Sequence, residues 1–155
     1  MGTVTSKDGT QIAYSSAGSG PALVLVDPAL GFRGFGPMDA LVDQLASDFT
    51  VFTYDRRGRG ESTDNLPYIV EREVEDLEAL IEMAGGSAFV YGFSSGTVLG
   101  LYAAMKGIVK KLALMEPPIS LSNQPSTRPE LSAELRDLVT AGRRGDAGRM
   151  AWGRC

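Results

Sequence analysis

Histidine is absent from this chain of 155 residues, and cysteine occurs once, as Cys155. Those two residues are the usual ligands of zinc and related metals, so a transition-metal site is not expected. A single cysteine excludes an intrachain disulfide and fits a reducing, cytoplasmic setting. No apolar run approaches the roughly 20 residues needed to span a bilayer. The first residues, Met1 to Asp8, lack the apolar core of a secretory signal. Basic residues number 15 against 19 acids, a net charge of −4, so no basic footprint for nucleic acid is present. What is there is ordinary: 43% hydrophobic and 22% charged, in a chain long enough to bury a real core as one domain.

The apolar pattern alternates between short runs and helical spacing. Val4-Thr5 and Gln11 to Ser15 flank Lys7-Asp8-Gly9 as a hairpin would. Ala22 to Val26 is a strand buried on both faces, and Phe49 to Tyr54 is the next strand. Between them, Pro37 to Ala46 predicts a helix, with Met38, Leu41, Val42 and Leu45 at 3-4 spacing. Pro67 to Ala84 predicts a second helix, ended by Gly85-Gly86, with Val70, Val74, Leu77, Leu80 and Ile81 on one face. The acids Glu71, Glu73, Glu75, Asp76, Glu78 and Glu82 then read as its wet face. A strand over 87–91, a helix over 97–105 and a strand over 111–116 follow, stopped by Pro117-Pro118. Strands alternating with helices predict an α/β fold with a mainly parallel sheet and helices on both faces.

After Pro118 the character changes. Residues 120–129 are a polar Ser/Pro-rich linker, 130–141 predict one amphipathic helix, and 142–155 show no apolar periodicity, which predicts an irregular tail. The chain therefore divides into 1–118 and 119–155.

The most informative stretch is Val90-Tyr91-Gly92-Phe93-Ser94-Ser95-Gly96, a G-x-S-x-G pentapeptide between a strand and a helix. A serine on so sharp a turn is a nucleophile elbow. Gly92 and Gly96 leave room for the adjoining strand and helix, and the helix start behind Ser94 offers free N–H groups to an oxyanion. Two further segments precede it in order: the strand 22–26 leading into Asp27-Pro28-Ala29-Leu30-Gly31, and Asp55-Arg56-Arg57-Gly58-Arg59-Gly60-Glu61-Ser62, which fits D-x-R-G-x-G-x-S. On these three motifs, from about Val4 to Pro118, the chain resembles the N-terminal half of the α/β-hydrolase fold superfamily, serine-nucleophile type.

The resemblance implies an esterase- or amidase-like acyl transfer on a small ester-like substrate, without cofactor. It makes Ser94 the nucleophile, the N–H groups of Ser95 and Ala29 the oxyanion hole, and Glu116 a possible acid at the end of its strand. It assigns the Asp55–Ser62 loop a structural turn in which Asp55 caps backbone donors and pairs with an arginine. It also implies that 119–155 opens a cap or lid, and that the triad histidine lies on later strands outside this chain. Asp27-Pro28 departs from the His-Gly that many members carry here, and Phe93 stands where a polar residue is common. A serine hydroxyl needs a base to take its proton; the acids nearest Ser94 by topology are Asp27 and Glu116, and a carboxylate is in general a much weaker base than imidazole. A truncated or inactive form is therefore expected.

Other sites are excluded by spacing. The Asp55–Ser62 loop lacks the Lys-Ser/Thr of a P-loop, Gly18-Ser19-Gly20 precedes no helix, and the acid run lacks the Asp/Asn/Gly spacing of a calcium loop. Two alternatives to the esterase reading remain: a non-catalytic binding or self-assembly module derived from a hydrolase, and a lyase or perhydrolase on the same elbow. Residues 111–116 would form an uncovered edge strand with charge only at its ends, which predicts a homo-oligomer built on that edge.

Overall fold

The computed structural model describes residues 1–119 and 129–152. The linker at 120–128 and the last three residues, Cys155 among them, lie outside the described residues. The elements run β1 (Gly2–Thr5), β2 (Gln11–Ala17), β3 (Ala22–Val26), α1 (Met38–Leu45), β4 (Thr50–Tyr54), α2 (Val70–Met83), β5 (Ala88–Phe93), α3 (Ser95–Met105), β6 (Val109–Met115), α4 (Pro129–Thr140) and α5 (Arg144–Trp152). The six strands form one sheet in the order β1-β2-β4-β3-β5-β6. β4, β3, β5 and β6 run parallel, with Val24 opposite both Phe52 and Val90, and Val90 opposite Leu112. The N-terminal hairpin adds the antiparallel strands β1 and β2.

Strand side chains alternate between faces, and this splits the core in two. Val24 and Val26 join Val74, Leu77, Leu80 and Ile81 of α2 and Leu99 and Ala103 of α3. Leu23 and Leu25 point the other way, onto Met38, Leu41, Val42 and Leu45 of α1. An all-apolar run such as β3 is what a strand covered on both sides requires.

Three expectations are corrected. The helix predicted from Pro67 begins at Val70, because Ile69 still has extended backbone at φ −137° and ψ 158°. The acid run on α2 is not all wet: Glu73 and Asp76 are buried, and each faces an arginine from the loop after β4. The tail beyond Gly142 is not irregular, since Arg144–Trp152 forms α5. Asp146 there bonds Arg143 at 2.7 Å and also pairs with Arg149, so charges at helical spacing supply what apolar periodicity does not.

Met1–Pro118 forms one compact unit and Ile119–Cys155 a second, in which α4 and α5 pack on each other.

Candidate active site

The sheet order places a crevice before any side chain is considered. The connection from β3 leads through α1 to β4 on one side, while that from β5 leads through α3 to β6 on the other. β3 and β5 are neighbours whose chains leave in opposite directions, a topological switch point, and ligands of open α/β sheets bind outside the strand ends there. Ala29 follows the end of β3, and Ser94 follows the end of β5.

Ser94 lies between β5 and α3 with φ 50° and ψ −119°. Such a conformation costs a non-glycine residue about 1–3 kcal/mol, so the surroundings must impose it. They do so by close backbone approach. A Cβ on Gly92 would lie 2.5 Å from the Gly96 carbonyl oxygen, and one on Gly96 would lie 2.2 Å from that of Val26. The Ser94 N–H donates to the Met115 carbonyl at 2.9 Å. Its own carbonyl accepts from the Thr97 N–H at 3.0 Å and the Thr97 hydroxyl at 2.6 Å. Ser95 is the first residue of α3, where an N–H has no partner a turn earlier. Phe93 packs against the Leu23/Leu25/Met38/Val51 cluster.

Ala29 is exposed at the start of the loop after β3. That loop is folded on itself: Phe32 and Phe35 exchange backbone hydrogen bonds at 2.9 and 3.0 Å, and their rings stack at 5.3 Å. Among the described residues, no group hydrogen-bonds the Ser94 hydroxyl.

The Asp55–Ser62 loop is structural. The Asp55 carboxylate accepts from the Arg33 N–H at 2.8 Å, the Arg33 guanidinium at 3.0 Å and the Glu61 N–H at 2.9 Å. Arg57 is wholly buried and donates to Asp76 at 2.7 and 2.8 Å and to Asp8 at 2.9 Å. Arg56 turns toward the elbow. Its Nε and Nη2 grip the Glu73 carboxylate at 2.6 and 2.8 Å, and its Nη1 donates to the Asp27 carbonyl at 3.2 Å and the Ser95 hydroxyl at 2.9 Å. Burial alone would raise the Glu73 carboxyl, but the Arg56 hydrogen bonds and charge, with Tyr68, hold it below the usual carboxylate range.

Sequence reasoning missed this pair. The signal was present, since Glu73, Asp76, Leu77, Leu80 and Ile81 share one helical face, while two consecutive arginines follow a buried strand.

Asp27 differs from an unperturbed carboxylate. It is 2% exposed, its Oδ1 has no hydrogen-bond partner among the described residues, and Gly31 and Gly36 lie so near that a Cβ on either would come within 3.0 Å of that oxygen. Burial first, then the charges of Asp39 and Asp55 against the opposing Arg56, push the carboxyl up to about 7. Glu116 is exposed directly after β6, at φ 50°, and its charge adds to burial in raising the Tyr91 hydroxyl.

No helix among the described residues is long and apolar enough to cross a membrane. No group of three or more metal-binding side chains is found among them either.

Comparison with known proteins agrees with this geometry. The alpha/beta hydrolase family matches residues 19–154. An α/β hydrolase from Sphaerobacter thermophilus is 49% identical, with a TM-score of 0.87 over 96% of this chain and 58% of that one. The N-formylmaleamic acid deformylase of Pseudomonas putida is 26% identical, with a TM-score of 0.66 over 91% of this chain and 57% of its own. The uncharacterized hydrolase YraK of Bacillus subtilis is 38% identical over 102 residues, 60% of this chain and 35% of that protein. This chain thus spans little more than half the length of the two solved structures and about a third of YraK. A family match over most of its residues, with close superposition on the Sphaerobacter protein, establishes that this chain belongs to the alpha/beta hydrolase family.

Proposed function

We propose that this chain carries the nucleophile half of a serine hydrolase acting by acyl transfer on carboxylic esters, amides or related carbonyl compounds. The observation that carries the reading is the Ser94 backbone, held at φ 50° at the switch point by two glycines that admit no side chain. Ser94 Oγ would attack the carbonyl carbon, and the oxygen would take up the negative charge between the N–H groups of Ser95 and Ala29. A deformylase among the similar structures supports a carbonyl substrate.

The proton of Ser94 must go to a base, and no histidine is available in these 155 residues. Without its base, a serine hydrolase retains only binding and the oxyanion hole. The chain by itself is therefore expected to hydrolyse p-nitrophenyl esters at or near background. Turnover well above background that vanishes in Ser94→Ala would sink that expectation and make a carboxylate the base. The nucleophile itself is tested with a fluorophosphonate at raised pH, where solution hydroxide replaces the missing base. Mass spectrometry should find the adduct on Ser94 ahead of every other serine. Labelling that ignores Ser94, or is unchanged in Ser94→Ala, overturns the assignment.

A further inference from the structure

Arg56 and Arg57 are adjacent, both buried and both ion-paired to α2, yet they serve different neighbours. Arg57 bonds Asp76, Asp8 and the Arg72 carbonyl, all remote in sequence from the elbow and the loop after β3. Arg56 uses its Nη1 alone on two groups from different strand ends: the Asp27 carbonyl, two residues before Ala29, and the hydroxyl of Ser95. The remaining nitrogens are fixed by Glu73, whose carboxylate also accepts from Tyr68 at 2.8 Å and has Arg59 at 3.7 Å.

We propose that Arg56 is the positioning residue of the oxyanion hole, holding the Ala29 and Ser95 N–H groups at a fixed separation through one shared guanidinium nitrogen. This rests on the reading of those two N–H groups given above. An oxyanion hole works because its donors are aimed before the charge develops, so their relative placement must be rigid. Pro28 intervenes between Asp27 and Ala29 and has no N–H of its own to tie the loop down. The Pro28 carbonyl is taken up within the loop by the Gly31 N–H at 3.1 Å, so the Asp27 carbonyl is the next acceptor by which the segment can be held from outside, and Arg56 occupies it. Only a planar fork can grip a carboxylate on one side and reach two acceptors on the other; a lysine ammonium cannot. Buried ion pairs commonly break even on stability, which is consistent with a role in orientation.

The adjacent arginine supplies the control. Backbone 15N order parameters are to be measured for the wild-type chain, Arg56→Met, Arg56→Lys and Arg57→Met. In Arg56→Met, the values at Ala29 and Ser95 should fall together from about 0.85 to below about 0.6, while those in β3 and β5 stay rigid. Arg56→Lys should fail to restore them. Arg57→Met should leave Ala29 and Ser95 rigid even if it lowers the melting temperature as much. Unchanged values in Arg56→Met, or an equal fall in Arg57→Met, overturns the proposal. If Arg56→Met does not fold, Ser95→Ala removes one acceptor alone; loosening confined to residue 95 is expected, and no loosening there overturns the clamp. These readouts do not use Ser94 reactivity, so failure of fluorophosphonate labelling would count against the nucleophile and not against the clamp.

Discussion

β3 and β6 both carry apolar runs and fare differently in the fold. β3 reads Ala-Leu-Val-Leu-Val, and all but its first residue are buried. β6 reads Val-Lys-Lys-Leu-Ala-Leu-Met, yet Leu114 and Met115 are 39% and 47% exposed. β3 has a strand on each side and helices on both faces, whereas among the described residues of Met1–Pro118 β6 pairs only with β5 and packs on α3. Over the other face lies a groove of about 460 Å³, lined by Leu45, Phe49, Phe89, Tyr91 and Ala113. The Lys110 ammonium lies over Phe89, with its Nζ 5.3 Å from the ring centroid. An apolar run tells that a strand needs cover; whether it has cover depends on elements elsewhere in the sequence.

The contrast is broken most directly by equal truncations. Leu25→Ala, in a wholly buried side chain, is expected to cost about 2–5 kcal/mol in urea unfolding. Leu114→Ala should cost under about 1 kcal/mol, since most of its neighbours are on one side. Similar losses at both positions would mean that β6 is covered in solution.

The end of β3 offers a second effect, one that varies with pH. Folding raises the Asp27 carboxyl from 3.8 to about 7, so within that window the folded chain keeps a proton that the unfolded chain has released. Stability therefore falls as pH rises through the window and is flat above it. Asp27→Asn should stabilise the protein by up to about 4 kcal/mol at pH 8, and the gain should shrink to nearly nothing by about pH 4. A gain that does not vary with pH, measured by thermal unfolding across that range, would place the titration elsewhere.

The smallest effect on stability belongs to the edge. Leu114→Lys or Met115→Lys should change unfolding free energy by no more than about 0.5 kcal/mol. Each should lower the self-association expected of a bare apolar edge, read by sedimentation velocity at micromolar concentration. A wild-type chain that sediments as a monomer would remove the edge as an assembly surface.

The same contrast explains what could be read beforehand. The parallel core was legible because Ala22 to Val26, Phe49 to Tyr54 and the elbow each announce themselves locally, by unbroken apolar runs or by glycine spacing. The turn that carries Ser94 was legible for the same reason. Arg56–Glu73 and Arg57–Asp76 were not, because each pair joins residues 17 and 19 positions apart whose individual types suggest solvent. Asp27 looked like a strand-end acid, and only the packing of Gly31 and Gly36 against its carboxyl reveals its confinement. The helix α5 escaped because ion pairs, not apolar periodicity, mark its turns.

Ser94 hangs by its own amide from β6, the edge strand of the sheet among the described residues, through the 2.9 Å bond from its N–H to the Met115 carbonyl. No side chain intervenes between the bare edge and the elbow. A partner that clamps or twists β6 would be sensed first at a main-chain atom of Ser94, making that amide resonance a built-in gauge of edge occupancy.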